Sequence, residues 1–356
     1  MDADLLEFQA VLRRLLDRHA APAEEPDGKL WTLLTEQVGV AGLAVPERYG
    51  GSGFGYRECH LVLTELGRAA ASTPFLASSV LATAALLLTG DEAAQAELLP
   101  DLAAGTRTAA LVQGTGGPLT ATDTGSSWLI DGQLRHVLDG ARADLLLAVA
   151  RPRSEPSSGL FQLDPTHPGL RRTRCPTMDQ SLHLAEVHCR AVPARRLRCD
   201  ASVLPRLADL AATAITADQI GGARRCLELT VEYTRQRVQF GRPIGSFQAV
   251  KHRLADLLVL VESAHSASWA AAAAWADAAD DASVLASLAK SYCSQTYRAV
   301  TAETVQLHGG VGFTWEHPAH RYFKRAHATA TLFGDPAYHR RRLAQHLNFT
   351  SGSIPR

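Results

Sequence analysis

The sequence predicts an α+β protein in three parts: helices over residues 1–105, a β region over 106–200 and a four-helix bundle over 201–356. Three observations carry this. Apolar residues recur at helical spacing on both sides of a central stretch. That stretch is richer in Thr, Val, Gly and Pro, loses the helical period and shows short strand-like runs. The chain then resolves into long amphipathic segments with short connections, the pattern of an antiparallel bundle.

In the first part, Leu5, Phe8, Val11, Leu12 and Leu15 form one apolar stripe, and Leu30, Leu33, Leu34 and Val38 a second. Pro46–Gly55 is a turn-rich link, followed by predicted helices over Arg57–Ala71 and Ser79–Leu88. Asp91 is placed to cap the next helix, Glu92–Leu102. Strands are predicted at Ala109–Gln113, Trp128–Asp131, Leu134–Leu138, Leu145–Ala150, Leu160–Leu163 and Ala185–Ala191. Four helices follow, over Val203–Val238, Ser246–Ala279, Ala282–His308 and Asp335–Leu347.

Composition narrows the function classes. Thirty-six basic residues balance 36 acidic ones, so net charge makes no case for nucleic acid or an anionic membrane. Six scattered cysteines contain no Cys-x-x-Cys pair, which argues against a zinc or thioredoxin-like site and for reduced thiols. The N-terminus, M-D-A-D-L-L-E-F, does not read as a signal peptide, and no uninterrupted apolar run approaches membrane-spanning length. A cytoplasmic protein is the expectation.

Two strings stand out. Arg235–Asp256, R-Q-R-V-Q-F-G-R-P-I-G-S-F-Q-A-V-K-H-R-L-A-D, reads as two helices broken at Gly241, Pro243 and Gly245, with Ser246 able to cap the second. Gln306–Phe313, Q-L-H-G-G-V-G-F, ends a long helix in a glycine cluster followed by an aromatic ring. Paired across a subunit contact, they could hold a dinucleotide: Arg237 on the pyrophosphate, Phe240 on an aromatic ring, and glycine backbone at close approach. The bland alternative is that both merely pack a helical hairpin.

Both strings, at this separation, resemble the acyl-CoA dehydrogenase family. So do V-P-E-R-Y-G-G-S-G-F-G (Val45–Gly55), T-E-L-G-R (Thr64–Arg68) and T-P-F (Thr73–Phe75), so the resemblance spans nearly the whole chain. It implies the fold of that family and FAD as cofactor. The ADP half would be contacted by Arg237, Phe240, Gln306, Gly309 and Gly310, with Gln248 reaching towards the adenosine end. It also implies an acyl-CoA substrate and electron-transferring flavoprotein as acceptor.

The family's chemistry needs a glutamate to take the α-proton of the thioester. At its usual place the segment K-R-A-H-A-T-A-T-L-F-G-D-P (Lys324–Pro336) puts Phe333, and at the family's other solution stands Ala211. No catalytic base and no metal ligand is therefore assigned. The flavin-contacting loop is altered too: L-V-Q-G-T-G-G-P-L-T (Leu111–Thr120) lacks the family's Glu-Pro and Gly-Ser-Asp elements, and the next flavin-contacting segment reads R-H-V-L-D-G (Arg135–Gly140).

An intact ADP half beside a degraded isoalloxazine half implies a chain that completes a partner's flavin site. That resembles the glutamate-lacking subunit of actinobacterial heterotetrameric steroid-CoA dehydrogenases, with a homologous partner in an α2β2 assembly. Two alternatives stay open: a self-sufficient homotetramer whose base is displaced to a residue such as Asp335, and a flavin-free scaffold. Asp335 reads first as the cap of the last helix, with Pro336 at its first position. Glu316 and His317 read as a surface helix start or subunit contact. His320, Lys324, Arg325 and His327, and the run His339–Arg342, read as solvated faces.

Overall fold

The computed structural model describes residues 3–20 and 28–347. Five helices come first: α1 (Ala3–His19), α2 (Gly28–Val38), α3 (Tyr56–Arg68), α4 (Thr83–Thr89) and α5 (Glu92–Ala103). Eight strands follow: β1 (Ala109–Val112), β2 (Thr115–Gly116), β3 (Leu119–Asp123), β4 (Trp128–Leu138), β5 (Leu145–Pro152), β6 (Gly159–Leu163), β7 (Leu170–Arg174) and β8 (Leu184–Arg196). Helix α6 (Val203–Gln236) leads into a short hairpin, β9 (Val238–Gln239) and β10 (Arg242–Pro243). Then come α7 (Gln248–Ala276), α8 (Ala282–His308), α9 (Ala319–Thr331) and α10 (Pro336–His346). The chain forms two compact units, one of residues 1–22, 60–71 and 209–356, the other of 23–59 and 72–208.

In the second unit the strands close on themselves. β4 pairs with β3, β3 with β5, β5 with β6, β6 with β8, and β8 with β4, while β1, β2 and β7 add to this ring. Closure leaves no long open edge. Val112, Ile130, Val137, Phe161 and Val187 fill the interior. The two runs predicted at 128–131 and 134–138 are one strand, irregular on both sides of Gly132–Leu134. Gly132 supplies φ +131 there, a conformation other residues resist. Asp91 caps α5 as predicted, accepting from Ala94 N at 3.0 Å. A π-helical turn, Leu76–Ala82, runs into α4, and Ser78 Oγ accepts from Ala109 N at 3.0 Å at the start of β1.

In the helical unit the backbones of α3 and α6 nearly touch. A Cβ at Gly221 would lie 1.9 Å from Thr64 O, and one at Gly67 would lie 2.2 Å from Asp218 O. Only glycine at both positions allows that crossing. Helix α1 is tied on by Glu65, buried at 1% exposure, which accepts from Arg13 Nε (2.9 Å), Arg13 Nη2 (2.7 Å) and Gln9 Nε2 (2.6 Å). The buried face of α1 is Leu5, Leu12 and Leu16, while Val11, expected in the stripe, is exposed. Leu257, Val261, Tyr297, Val300 and Tyr322 form the core between α7, α8 and α9.

The four helices expected after residue 201 are all present, and α9 stands between the last two. It was missed because its buried side mixes Ala319, Tyr322, Ala326 and Ala330 with His320, Arg325 and Thr329. Two stretches read as solvated faces are therefore partly interior. Arg325 is buried in a pair with Asp218 and donates to Ala71 O at 3.0 Å. His339 is buried, and Arg342 reaches Asp209 at 2.7 Å. Helix α7 is the one described helix that matches a membrane span in length and hydropathy. Charges in its first half (Lys251, Arg253, Asp256) hide this from a search for uninterrupted runs.

Candidate functional site

The Arg235–Asp256 string forms a hairpin on the end of α6. Gln239 pairs with Arg242 and Val238 with Pro243, and Phe240 (φ +52) and Gly241 (φ +76) make the turn. Two successive left-handed residues are what a two-residue hairpin loop requires. The hairpin lies back through Ile244 N, which donates to Arg237 O at 2.8 Å. Arg242 sits 4.0 Å over the Phe247 ring, and Phe240 meets that ring edge-on at 6.1 Å. Ser246 does not cap α7: its hydroxyl donates to Pro243 O, and Phe247 occupies the cap position. Arg237 and Gln248 are exposed, and Phe240 is 91% exposed.

The second string ends α8. Gly309 adopts φ 61, ψ −143, a region that glycine alone enters at low cost, and its N–H closes on Gln306 O. A Cβ at Gly309 or Gly310 would meet nothing within 4 Å. These glycines are therefore not demanded by internal packing, and they leave open backbone at the helix end. Gln306 is exposed, as is Phe313 at 82%.

The strings are linked through their helices. Tyr233, one turn before Arg237, stacks on His308, one residue before Gly309, with ring centres 4.4 Å apart. The structure thus brings a free-standing guanidinium, an exposed aromatic ring and an open glycine turn onto neighbouring helix ends. That donor set suits a pyrophosphate and a flat ring, and fits the ADP half of FAD.

The base positions hold no proton acceptor. Phe333 has φ +59 and its carbonyl accepts from His339 Nε2 at 2.9 Å. The next residue, Gly334, has φ +98, and a Cβ on it would lie 2.6 Å from Tyr338. Asp335 caps α10, accepting from Tyr338 N at 2.6 Å. Ala211 is buried on α6. Below this turn lies a residue that sequence reasoning passed over: Lys290, fully buried, donates to Ser294 Oγ (3.0 Å), Thr329 O (3.1 Å) and Ala330 O (3.1 Å). It holds the C-terminal carbonyls of α9, and burial pushes its pKa down to about 7. A lone lysine in an apolar-looking helix gives no sequence signal of this.

In the other unit, Gly114 packs against β4, where a Cβ would lie 2.2 Å from Arg135 O. Thr115 Oγ1 lies 2.8 Å from His136 Nδ1. His136 (φ +60) and Asp139 (φ +53) are both left-handed, so the Arg135–Gly140 segment is strongly kinked. Burial raises the Asp139 carboxyl to about 7, with Arg142 pulling the other way. The helical unit carries its own cleft of about 630 Å³, lined by Arg13, Glu65, Arg224, Glu228, Arg235 and Glu262 among others. Opposite charges line it in balance.

Comparison with known proteins gives concordant matches. Residues 2–106 match the family profile described as "Acyl-CoA dehydrogenase, N-terminal domain", and residues 205–348 match "Acyl-CoA dehydrogenase, C-terminal domain". The chain is 39% identical over 345 residues to acyl-CoA dehydrogenase IpdE2 of Mycolicibacterium smegmatis, covering 94% of this chain and 96% of that protein. IpdE2 of Mycobacterium tuberculosis is 38% identical, covering 94% and 95%. Among solved structures, the ChsE4-ChsE5 complex of Mycobacterium tuberculosis aligns at TM-score 0.92 and 30% identity, over 99% of each chain. The Tcur3481-Tcur3483 steroid ACAD G363A variant aligns at TM-score 0.88 and 31% identity, over 98% and 99%.

Proposed function

The chain belongs to the acyl-CoA dehydrogenase family of FAD-dependent oxidoreductases, and on that premise we propose that it is the glutamate-lacking subunit of a heterotetramer. A homologous partner supplies the base and the isoalloxazine pocket. This chain supplies Arg237, Phe240, Gln248, Gln306, Gly309 and Gly310 to the ADP half. The observation that carries the reading is the contrast between Phe333, whose carbonyl is pinned by His339, and the open Arg237–Gly309 region. Phenylalanine accepts no proton, and Asp335, the carboxylate two residues on, caps α10.

When bound, FAD would take the hydride that leaves the β-carbon of an acyl-CoA thioester. Arg237 then neutralises pyrophosphate charge through charge-assisted hydrogen bonds, which fixes the cofactor without touching the reacting carbons. Gly309 and Gly310 would let the partner's cofactor approach the backbone directly, with no side chain in between. The acyl group we assign is a steroid side chain. Support comes from the similarity to the Tcur3481-Tcur3483 steroid ACAD, and the similarity to the ChsE4-ChsE5 complex supports a paired subunit. Electron-transferring flavoprotein is the assigned acceptor, and the cytoplasm the assigned location.

The test is flavin per chain, by absorbance, for the protein alone and co-expressed with its partner. The expected outcome is a colourless chain alone and one flavin per pair of unlike chains in the complex. Arg237→Ala should lower flavin retention in the complex. One flavin per chain in the isolated protein, with acyl-CoA oxidation, would overturn the proposal.

A further inference from the structure

Between α8 and α9 the chain makes a tight turn whose hold depends on one imidazole. His317 Nδ1 accepts a hydrogen bond from Ala319 N, the first N–H of α9, at 3.2 Å. Its proton therefore sits on Nε2. The ring lies 4.3 Å from His308, which is itself stacked on Tyr233. His308 donates from Nδ1 to Thr304 O at 2.7 Å, and its Nε2 is buried without a partner. Trp315, on the same turn, meets His320 at 4.8 Å and lies under Lys324 at 4.4 Å. The Gly309–Pro318 turn is thus fastened at both ends by histidines.

We propose that His317 is a positioning residue for the cofactor half-site, holding the glycine turn beside the Arg237 hairpin when neutral and releasing it when protonated. The inference rests on reading that region as the ADP half of a flavin site. A second proton can go only to Nδ1. It removes the acceptor for Ala319 N, sets N–H against N–H, and places positive charge at the N-terminus of a thirteen-residue helix. The surroundings oppose that proton as well. Burial lowers the pKa of His317, with His308 and His320 adding to the effect. His320 is itself lowered by burial, Lys324 and Arg321. The stack to His308 and Tyr233 carries the release to both strings, because these two residues stand one position from Gly309 and four from Arg237.

Asparagine separates the cap from the charge, since its side-chain oxygen accepts from backbone N–H as well as any residue and does not titrate. In the co-expressed complex, wild type should lose flavin on gel filtration as pH falls from 8 to 5. His317→Asn should hold flavin throughout, and His317→Ala should bind it about fivefold more weakly already at pH 8. Wild-type retention in His317→Ala, or a wild-type pH curve in His317→Asn, overturns the proposal. A second readout needs no flavin. The Ala319 amide of the isolated chain should lose hydrogen-exchange protection between pH 8 and pH 5 in wild type, lack it at both pH values in His317→Ala, and keep it at both in His317→Asn. Identical protection in all three refutes the cap, whereas flavin retained in Arg237→Ala refutes the half-site reading alone.

Discussion

Asp335 accepts the Tyr338 N–H at the first turn of α10, so Asp335→Ala removes a helix cap and no proton acceptor. The expected outcome is a loss of about 1 kcal/mol in stability with turnover of the assembled complex within about twofold of wild type. Loss of a general base would instead cost about 10²–10⁴-fold, so steady-state kinetics separate the two. At this scale the sequence was legible wherever local spacing specified a role: Asp91 and Asp335 as caps, and Gly309 at a helix end. It misled at Arg325, His339 and Arg342, because a run of charges reads as surface unless its distant partners are visible. Asp218, the partner of Arg325, is 107 positions away. Asp209, the partner of Arg342, is 133 away.

Among the elements, the α3–α6 crossing is the most exposed to a single methyl group. Gly221→Ala puts a Cβ within 1.9 Å of Thr64 O, a backbone atom that cannot rotate away. It should destabilise by about 1–3 kcal/mol or more, seen as a lowered thermal midpoint. Gly117→Ala, where nothing lies within 4 Å, is the control and should leave the midpoint near wild type. Helices α6, α7 and α8 were legible from periodicity because long buried stripes repeat many times. β2, β3 and β7 were not. β7, L-R-R-T-R, alternates between exposed and half-buried residues with hardly an apolar side chain, and β3 relies on Ala121 and Leu119 for its inward face. The β9–β10 hairpin hid behind Phe240, whose left-handed backbone no propensity would favour.

For the molecule as a whole, acid stability follows from imidazoles buried neutral. His60 hydrogen-bonds Ser268 Oγ at 3.0 Å, and burial lowers its pKa to about 3; His339 is lowered to about 4 by the same cause. Each binds a proton more readily unfolded, near 6.5, than folded. Stability is therefore full above that value and falls as pH drops from about 6.5 towards 4, by a few kcal/mol in sum. Urea titrations at pH 7 and pH 5 should show this as a lower midpoint in acid, and His339→Gln should flatten the slope. A midpoint unchanged between the two pH values would contradict it. Net charge, by contrast, is zero on the sequence and predicts no such trend.

The helical unit is assembled from three separated lengths of chain, residues 1–22, 60–71 and 209–356, whereas most of the second unit is the continuous run 72–208. A ribosome working from the N-terminus thus delivers the whole closed sheet before the first residue of α6 that crosses α3 has been made. Until then Gly67 has no opposing backbone, and α3 lacks the α6 face that it crosses. During synthesis the barrel can close early on its own contacts, and the helical unit, which carries the Arg237 and Gly309 strings, is the last to take shape.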